Sequence, residues 1–418
     1  MRYFSTFSGI GGFELGIRQA YEIKNGRLGV QGKENVRVER ARPEARHSAG
    51  KPAALPHRPD GRTDGEESAS CVGYSEVDRF AKEIYSHHFP AHQNYGDITK
   101  IDAAALPDFD LLVGGFPCQA FSIDGNRRGF ADTRGTLFFD LARILQAKRP
   151  RFFIFENVKG LLSHDGGRTI ATIITTLTEL GYDLQWQVLN SKDHGVPQSR
   201  ERVFIVGHSR GVSRPEVFPF PYDAEVSGEP DGAGAAQPQT KPASTIRTKY
   251  GTRADDSYII ARNQRGEIRE MDHSGSLTSS RSSTQFSYLV PEATQKGYAE
   301  AAPGDSINLQ AIRSTTRRGR IGKGIAQTLD TTMAQHTLQG ARIRRLTPVE
   351  CERLQGFPDN WTRYGSAGAH KTTEISDTQR YKTLGNAVTV NVVRDIVARL
   401  IAHEDEEIAS SSSKSVVE

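Results

Sequence analysis

Cys118 closes the segment Gly114-Gly115-Phe116-Pro117-Cys118, which follows the apolar run Leu111-Leu112-Val113. Such a run reads as a strand of a parallel sheet buried on both faces. Two glycines and a proline then stop it, so the thiol lands just past the strand's carboxyl end, the edge where open α/β sheets do their chemistry. A thiol there could be a nucleophile; alone it could equally be a small buried hydrophobe. Glu156 ends a second apolar run, Phe152-Phe153-Ile154-Phe155, at the same edge. Partly desolvated, it could hold or donate a proton near neutral pH. Arg200 and Arg202, alternating in Gln198-Ser199-Arg200-Glu201-Arg202, offer fixed positive charge.

A nucleotide-type site is legible at the amino end. Arg2 to Ser8 reads as a strand, Gly9-Ile10-Gly11-Gly12 as a tight turn, and Phe13 to Tyr21 as a helix. That order brings backbone N–H groups close to a ligand. A second strand, Cys71 to Glu76, ends in an acid. Once the Gly/Arg/Pro-rich stretch 26–70 is set aside as a disordered surface insertion, Glu76 lies about 20 residues beyond the glycine turn, the spacing of a ribose-binding acid. Asp78 to His88 reads as a helix, with His87, His88 and His92 at its solvated end. Asn94 to Ile98 reads as a short strand or turn carrying Asp97 at its tip. The loop Gly125 to Gly135 has flanking glycines and three arginines, which suits a lid over phosphates.

Helical stripes at 136–148 and 168–180 alternate with strands at 151–158, 182–190 and 203–207. This predicts a doubly wound, mainly parallel sheet over residues 1–210. After Pro215 the texture becomes polar with short β-type runs, an irregular β domain over 215–375. Arg313, Arg317, Arg318, Arg320 and Lys323 cluster there without an acid and suit phosphate and base-edge contacts. Thr347-Pro348-Val349-Glu350 carries a helix start with a capping box. Gly385 opens a terminal apolar helix to about His403, assigned to 380–403, and the acidic, serine-rich tail 404–418 reads as disordered.

The 418 residues carry a net charge of +4, which decides nothing, and three cysteines without any C-x-x-C. Structural zinc and a disulfide framework are disfavoured, no metal site is expected, and a reducing cytoplasm fits. No apolar run approaches the ~18 residues of a membrane span. The start lacks a signal peptide's apolar stretch.

Taken in order, Phe7-Ser8-Gly9-Ile10-Gly11-Gly12-Phe13, Glu76, Gly96-Asp97-Ile98, Gly115-Phe116-Pro117-Cys118-Gln119, Glu156-Asn157-Val158, Gln198-x-Arg200-x-Arg202, Arg345-Leu346-Thr347-Pro348 and Gly385-Asn386-Ala387-Val388 resemble the DNA (cytosine-5)-methyltransferase family. The resemblance implies a Rossmann-like methyltransferase sheet plus a smaller β-rich target-recognition domain, with S-adenosyl-L-methionine as cofactor. It implies that Cys118 attacks C6 of a flipped-out cytosine while Glu156 handles N3 and Arg200 and Arg202 orient the base and the carboxylate. Phe7, Gly9, Gly11, Gly12, Glu76, Val77, Asp97, Ile98, Pro117 and Leu137 would line the cofactor pocket, Asn386 would close it, and the 380–403 helix would return to the catalytic domain. Ser122, Arg127, Arg128, Arg313, Arg317 and Arg318 would contact double-stranded DNA. A monomeric, nucleoid-associated prokaryotic or phage-encoded enzyme of restriction-modification or orphan type is expected, any cognate restriction endonuclease acting separately. A tRNA cytosine-5 methyltransferase and a catalytically inactive DNA-binding module are the alternatives.

Overall fold

The computed structural model describes residues 1–26, 68–117, 137–212, 215–220, 259–262, 268–271, 287–294, 297–310, 319–331, 335–339, 342–366 and 372–414. The amino-terminal part alternates strand and helix: β1 (Arg2–Thr6), α1 (Gly12–Lys24), β2 (Ser70–Ser75), α2 (Arg79–His88), β3 (Leu111–Gly115), α3 (Leu137–Lys148), β4 (Phe152–Val158), α4 (Arg168–Glu179), β5 (Tyr182–Asn190), β6 (Gln198–Ser199) and β7 (Glu201–Ser209). Six strands form one sheet in the order β2-β1-β3-β4-β7-β5. β2, β1, β3 and β4 run parallel, while β7 is antiparallel to both β4 and β5. The sheet is therefore doubly wound and mainly parallel, with a reversed strand that a short apolar run cannot announce.

Side-chain alternation along each strand feeds two apolar layers. Phe4, Leu112, Phe153, Phe155 and Ile205 pack with Phe138, Leu141 and Leu145 of α3 and with Ile173 and Leu177 of α4. Tyr3, Leu111, Val113, Ile154 and Val206 face the other way, onto Phe13 and Ile17 of α1 and onto Val392, Val393, Ile396, Val397 and Leu400 of the last helix. Burial on both faces is why these strands read as continuous apolar runs instead of alternating ones.

Beyond residue 215 the described chain forms two small antiparallel sheets. One has β8 (Ile259–Arg262), β9 (Ile268–Met271), β10 (Ser287–Pro291) and β11 (Tyr298–Ala301); the other has β12 (Ser306–Asn308), β13 (Ile321–Gly322), β15 (Gln335–Gln339) and β16 (Arg342–Arg345). β14 (Ala326–Gln327) leaves this unit and pairs in parallel with β6 of the first. Val290, Ala301, Ile307 and Leu338 form the unit's small apolar cluster.

Residues 346–390 instead pack beneath α1 and α2. Leu346, Cys351, Leu354, Phe357, Trp361, Tyr381 and Leu384 share a core with Ile10, Leu15, Ile84, Tyr85 and Phe89. Here lie α5 (Pro348–Leu354), the hairpin β17 (Tyr364–Ser366) with β18 (Thr372–Glu374), and α6 (Asp377–Asn386). The capping box at Thr347 and Glu350 is formed with both of its hydrogen bonds. The expected helix start at Gly385 is displaced: Gly385 and Asn386 end α6, and α7 runs Val390–Lys414. Its last turns continue over the acidic, serine-rich stretch that the sequence reads as disordered.

Candidate active site

Glu156 stands at the carboxyl end of β4, opposite Gly115 of β3 in the parallel register and close to Arg202 of antiparallel β7. Arg202 Nε lies 3.0 Å from Glu156 Oε1, and both side chains are largely buried, at 17% and 13% exposure. The second carboxylate oxygen occupies the space a side chain at residue 115 would need: a Cβ there would stand 2.9 Å from Glu156 Oε2. A side chain at 115 would have to displace that carboxylate oxygen. Asn157, 3% exposed, turns inward; its amide donates to the Phe116 carbonyl at 2.8 Å and accepts from the Val158 N–H at 2.8 Å. The side chain of Asn157 therefore fixes the peptide that leads into exposed Pro117. Cys118 itself lies outside the described residues, as do Ser122, Arg127, Arg128, Arg313, Arg317 and Arg318 and the 125–135 loop.

Arg200 does not sit beside Glu156 as a second base-orienting cation. It is 3% exposed, and its guanidinium donates to the carbonyls of Leu329 (3.0 Å), Ala387 (2.9 Å) and Gly385 (3.2 Å). Burial, with the charge of Arg202 adding to it, pushes this guanidinium down to about 9. Gln198, two residues earlier, is fully buried and fastens the same junction, donating to Leu354 O and accepting from Leu329 N. The Gln-x-Arg-x-Arg segment is not one continuous strand: Arg200 falls in the break between β6 and β7, and of the two arginines only Arg202, on β7, pairs with the carboxylate.

At the amino end the turn is built as its glycines require. Gly9 and Gly11 have φ of +55° and +89°, and Phe7 adopts φ +50°, a strained conformation for a residue with a side chain. Gly11 has no room for a Cβ, which would meet the Phe89 ring at 2.5 Å, whereas the space beside Gly9 is open. Glu76 receives the Gly9 N–H at 2.8 Å on one oxygen, and the Val77 and Asp78 N–H groups at 2.7 and 2.8 Å on the other. Glycine turn and strand-end acid, far apart in sequence, thus meet directly.

Val77 is 63% exposed, an apolar side chain open to solvent beside that carboxylate. Asn94 bridges the two loops: its Oδ1 accepts from Gly96 N and its Nδ2 donates to Glu76 O. Asp97 caps a 3-10 turn at 98–100 through Thr99, and Leu137 begins α3, half-buried against the core. Asn386 is exposed at the end of α6, and the nearby Val388 side chain lies over Gly12, where a Cβ would be 2.8 Å away. The Ile98 side chain is buried in the core, 3% exposed, which leaves only its backbone to face a ligand. The open glycine turn, the two carboxylates and exposed Val77 suit a ligand with a ribose, an apolar ring face and a polar end, as in S-adenosylmethionine.

Two further expectations are corrected. His88 and His92 are not at a solvated helix end. His88 stacks on Trp361 at 3.5 Å and bonds its carbonyl, His92 bonds Tyr85, and burial lowers each imidazole to about 4. Arg320 offers nothing to a phosphate: it is fully buried and holds the Gln310 carbonyl at 2.9 Å, while Lys323 pairs with Asp305. Local composition does not distinguish a solvated polar side chain from one folded over a ring, a hydroxyl or a carbonyl. Asn157, Asn94, Phe89 and Val388 escaped sequence reasoning as site residues, although Asn157, in the Glu-Asn-Val triplet, and Val388, in Gly-Asn-Ala-Val, lie inside motifs. Among the described residues no cluster of metal-ligating side chains occurs, and no helix is long and apolar enough to cross a membrane.

The family profile described as C-5 cytosine-specific DNA methylase matches residues 62–402. The chain is 34% identical over 353 residues to the type II methyltransferase M1.ScrFI of Lactococcus lactis subsp. cremoris, covering 80% of this chain and 73% of that one. It is 37% identical over 344 residues to the type II methyltransferase M.SsoII of Shigella sonnei, covering 81% and 76%. A DNA modification methyltransferase encoded within an E. coli prophage shares the fold, with a TM-score of 0.51 at 19% identity over 96% of this chain and 99% of that one. With the strand-end Glu156–Arg202 pair and the glycine turn closed by Glu76, these likenesses place the chain in the C-5 cytosine-specific DNA methylase family, as a DNA (cytosine-5-)-methyltransferase.

Proposed function

We propose that this enzyme methylates C5 of a cytosine flipped out of duplex DNA, through a covalent bond between Cys118 and C6. The observation that carries the reading is the Glu156–Arg202 ion pair, set against Gly115 on the strand that leads into Pro117 and Cys118. Cytosine C5 is too poor a nucleophile to take a methyl group unaided. Addition of a thiolate at C6 makes C5 enamine-like and splits one hard step into two. Glu156 holds or protonates N3, so that charge does not accumulate on the ring. Arg202 keeps that carboxylate in place and supplies positive charge where electrons collect.

When bound, S-adenosylmethionine supplies an electrophilic methyl group. Phe7, Gly9, Glu76, Val77 and Asp97 would hold its nucleoside and amino-acid ends, and the N–H of Gly9 fixes the Glu76 carboxylate toward the ribose. Removal of the C5 proton then lets the Cys118 thiolate leave. In a duplex the ring atoms are stacked away, so the base must leave the helix at a cost of a few kcal/mol. The arginine-bearing 125–135 segment and the β-rich unit would offset that cost through phosphate and groove contacts. The enzyme acts as a monomer within a restriction-modification system or as an orphan phage enzyme, and any cognate endonuclease works separately.

Bisulfite sequencing of a plasmid carried in expressing cells tests the reading. Protected cytosines in one recurring sequence context are expected, and none with Cys118→Ala, although that variant still binds S-adenosylmethionine. Methylation of tRNA with none of DNA would overturn the substrate assignment.

A further inference from the structure

The two arginines of Gln198-Ser199-Arg200-Glu201-Arg202 have different surroundings, and the difference assigns Arg200 a task. Its planar fork spans three carbonyls from two separate stretches of chain: Leu329, where the chain leaves β14 of the β-rich unit, and Gly385 and Ala387, where α6 ends. Val388 presses on the last residue of the glycine turn. A Cβ at Gly12 would meet Val388 Cγ1 at 2.8 Å and the Val388 carbonyl at 3.0 Å, so the two backbones are in close contact. Thr389 is tied back through Gln355 Oε1 (2.7 Å) and Ser191 (2.8 Å), leaving the junction little freedom to slide. Arg202 lies only two residues along the chain, on β7, paired with Glu156.

We propose that Arg200 is a positioning residue for the cofactor turn: it fixes the 385–388 backbone, through which Val388 holds Gly12 and the turn before α1 in ligand-binding geometry. The same fork fastens the β-rich unit to the strand carrying Arg202. The proposal rests on the reading of Gly9 to Gly12 as the S-adenosylmethionine turn. Lysine cannot replace the fork, because one ammonium on a flexible stem cannot satisfy three carbonyls in a plane.

The test compares Arg200→Lys and Arg202→Lys in the full chain, by calorimetric titration with S-adenosylmethionine in the absence of DNA and by steady-state kinetics on plasmid DNA. Arg200→Lys should raise the cofactor Kd by about tenfold or more and change kcat at saturation by less than about threefold. Arg202→Lys should leave the cofactor Kd within about twofold and lower kcat by about a hundredfold. An Arg200→Lys variant with wild-type Kd and a collapsed kcat would place Arg200 on the base and overturn the proposal. Should Arg200→Lys fail to fold, Val388→Ala leaves the buried guanidinium in place and removes the Cγ1 contact on Gly12 together with a small share of the surrounding apolar cluster. It too must raise the Kd, and an unchanged value refutes the link. A wild-type chain that binds no S-adenosylmethionine would sink the cofactor assignment itself, an outcome distinct from a binding wild type with an unaffected variant.

Discussion

At the residue scale, the site depends on atoms that are missing as much as on those present. Gly115 has an ordinary backbone conformation, so its requirement comes from Glu156 Oε2 alone. Gly115→Ala should therefore fold normally yet push the carboxylate off Arg202, lowering kcat about a hundredfold with little change in cofactor affinity; kinetics beside a cofactor titration would show it. Glu14 is a second case. It is buried in the first turn of α1, accepts from the Tyr85 hydroxyl at 3.0 Å, and burial pushes its carboxyl from 4.5 up to about 7. The folded state thus keeps a proton that the unfolded chain has released, so this group's contribution is full below about 4.5, declines to about 7 and is flat above. His88 and His92, lowered to about 4, contribute in the opposite sense, losing stability as pH falls below 6.5. Subtracting Glu14→Gln from wild type cancels the histidines. Denaturant unfolding should show the variant gaining on the order of 2 kcal/mol relative to wild type between pH 4.5 and 7. A constant difference across that window would show that Glu14 does not titrate there.

At the element scale, α1 and α7 approach closely because α1 presents glycines to its partner. A Cβ at Gly16 would stand 2.7 Å from Val393 Cβ and 2.9 Å from the Val390 carbonyl, and the backbone oxygen cannot yield as a side chain could. Gly16→Ala, which raises helix propensity, should nevertheless destabilise the fold by about 1–3 kcal/mol, as overpacking does; a raised denaturation midpoint would refute this. Elements of this kind divide what a sequence reveals from what it hides. The strand-end positions of Glu76 and Glu156 and the capping box at Thr347 and Glu350 are legible because a few adjacent residues determine them. The direction of β7, the boundary between α6 and α7, and the stacking of His88 on Trp361 are not, since each depends on chain hundreds of residues away or on pairing geometry.

At the scale of the whole molecule, the sheet is finished only by the chain's last helix. One apolar layer is closed by α3 and α4, but the other combines Tyr3, Leu111, Val113, Ile154 and Val206 with Val392, Val393, Ile396, Val397 and Leu400, all buried. α1 alone cannot cover that face. Sequence reasoning could carry the last helix back to the first domain only through the family resemblance, because an amphipathic stripe does not say which face it meets. Ending the chain after Thr389 would expose these β-strand side chains to water. Each large buried apolar group is worth about 1.5–3 kcal/mol, and a whole fold is stable by only about 5–15 kcal/mol. Loss of the seven buried apolar groups of α7 (Val390, Val392, Val393, Ile396, Val397, Leu400 and Ile401), about 10–20 kcal/mol, and of the partners they cover, outweighs that margin, so the shortened chain should be insoluble or molten. Ending it after Ala402 keeps every buried residue of α7 through Ile401 and removes only the acidic, serine-rich turns. That chain should retain the wild-type unfolding midpoint within about 2 °C. Comparing the two truncations by solubility and thermal melting separates the packing role of α7 from its polar extension. A folded product ending at Thr389 would show that α1 covers the sheet unaided.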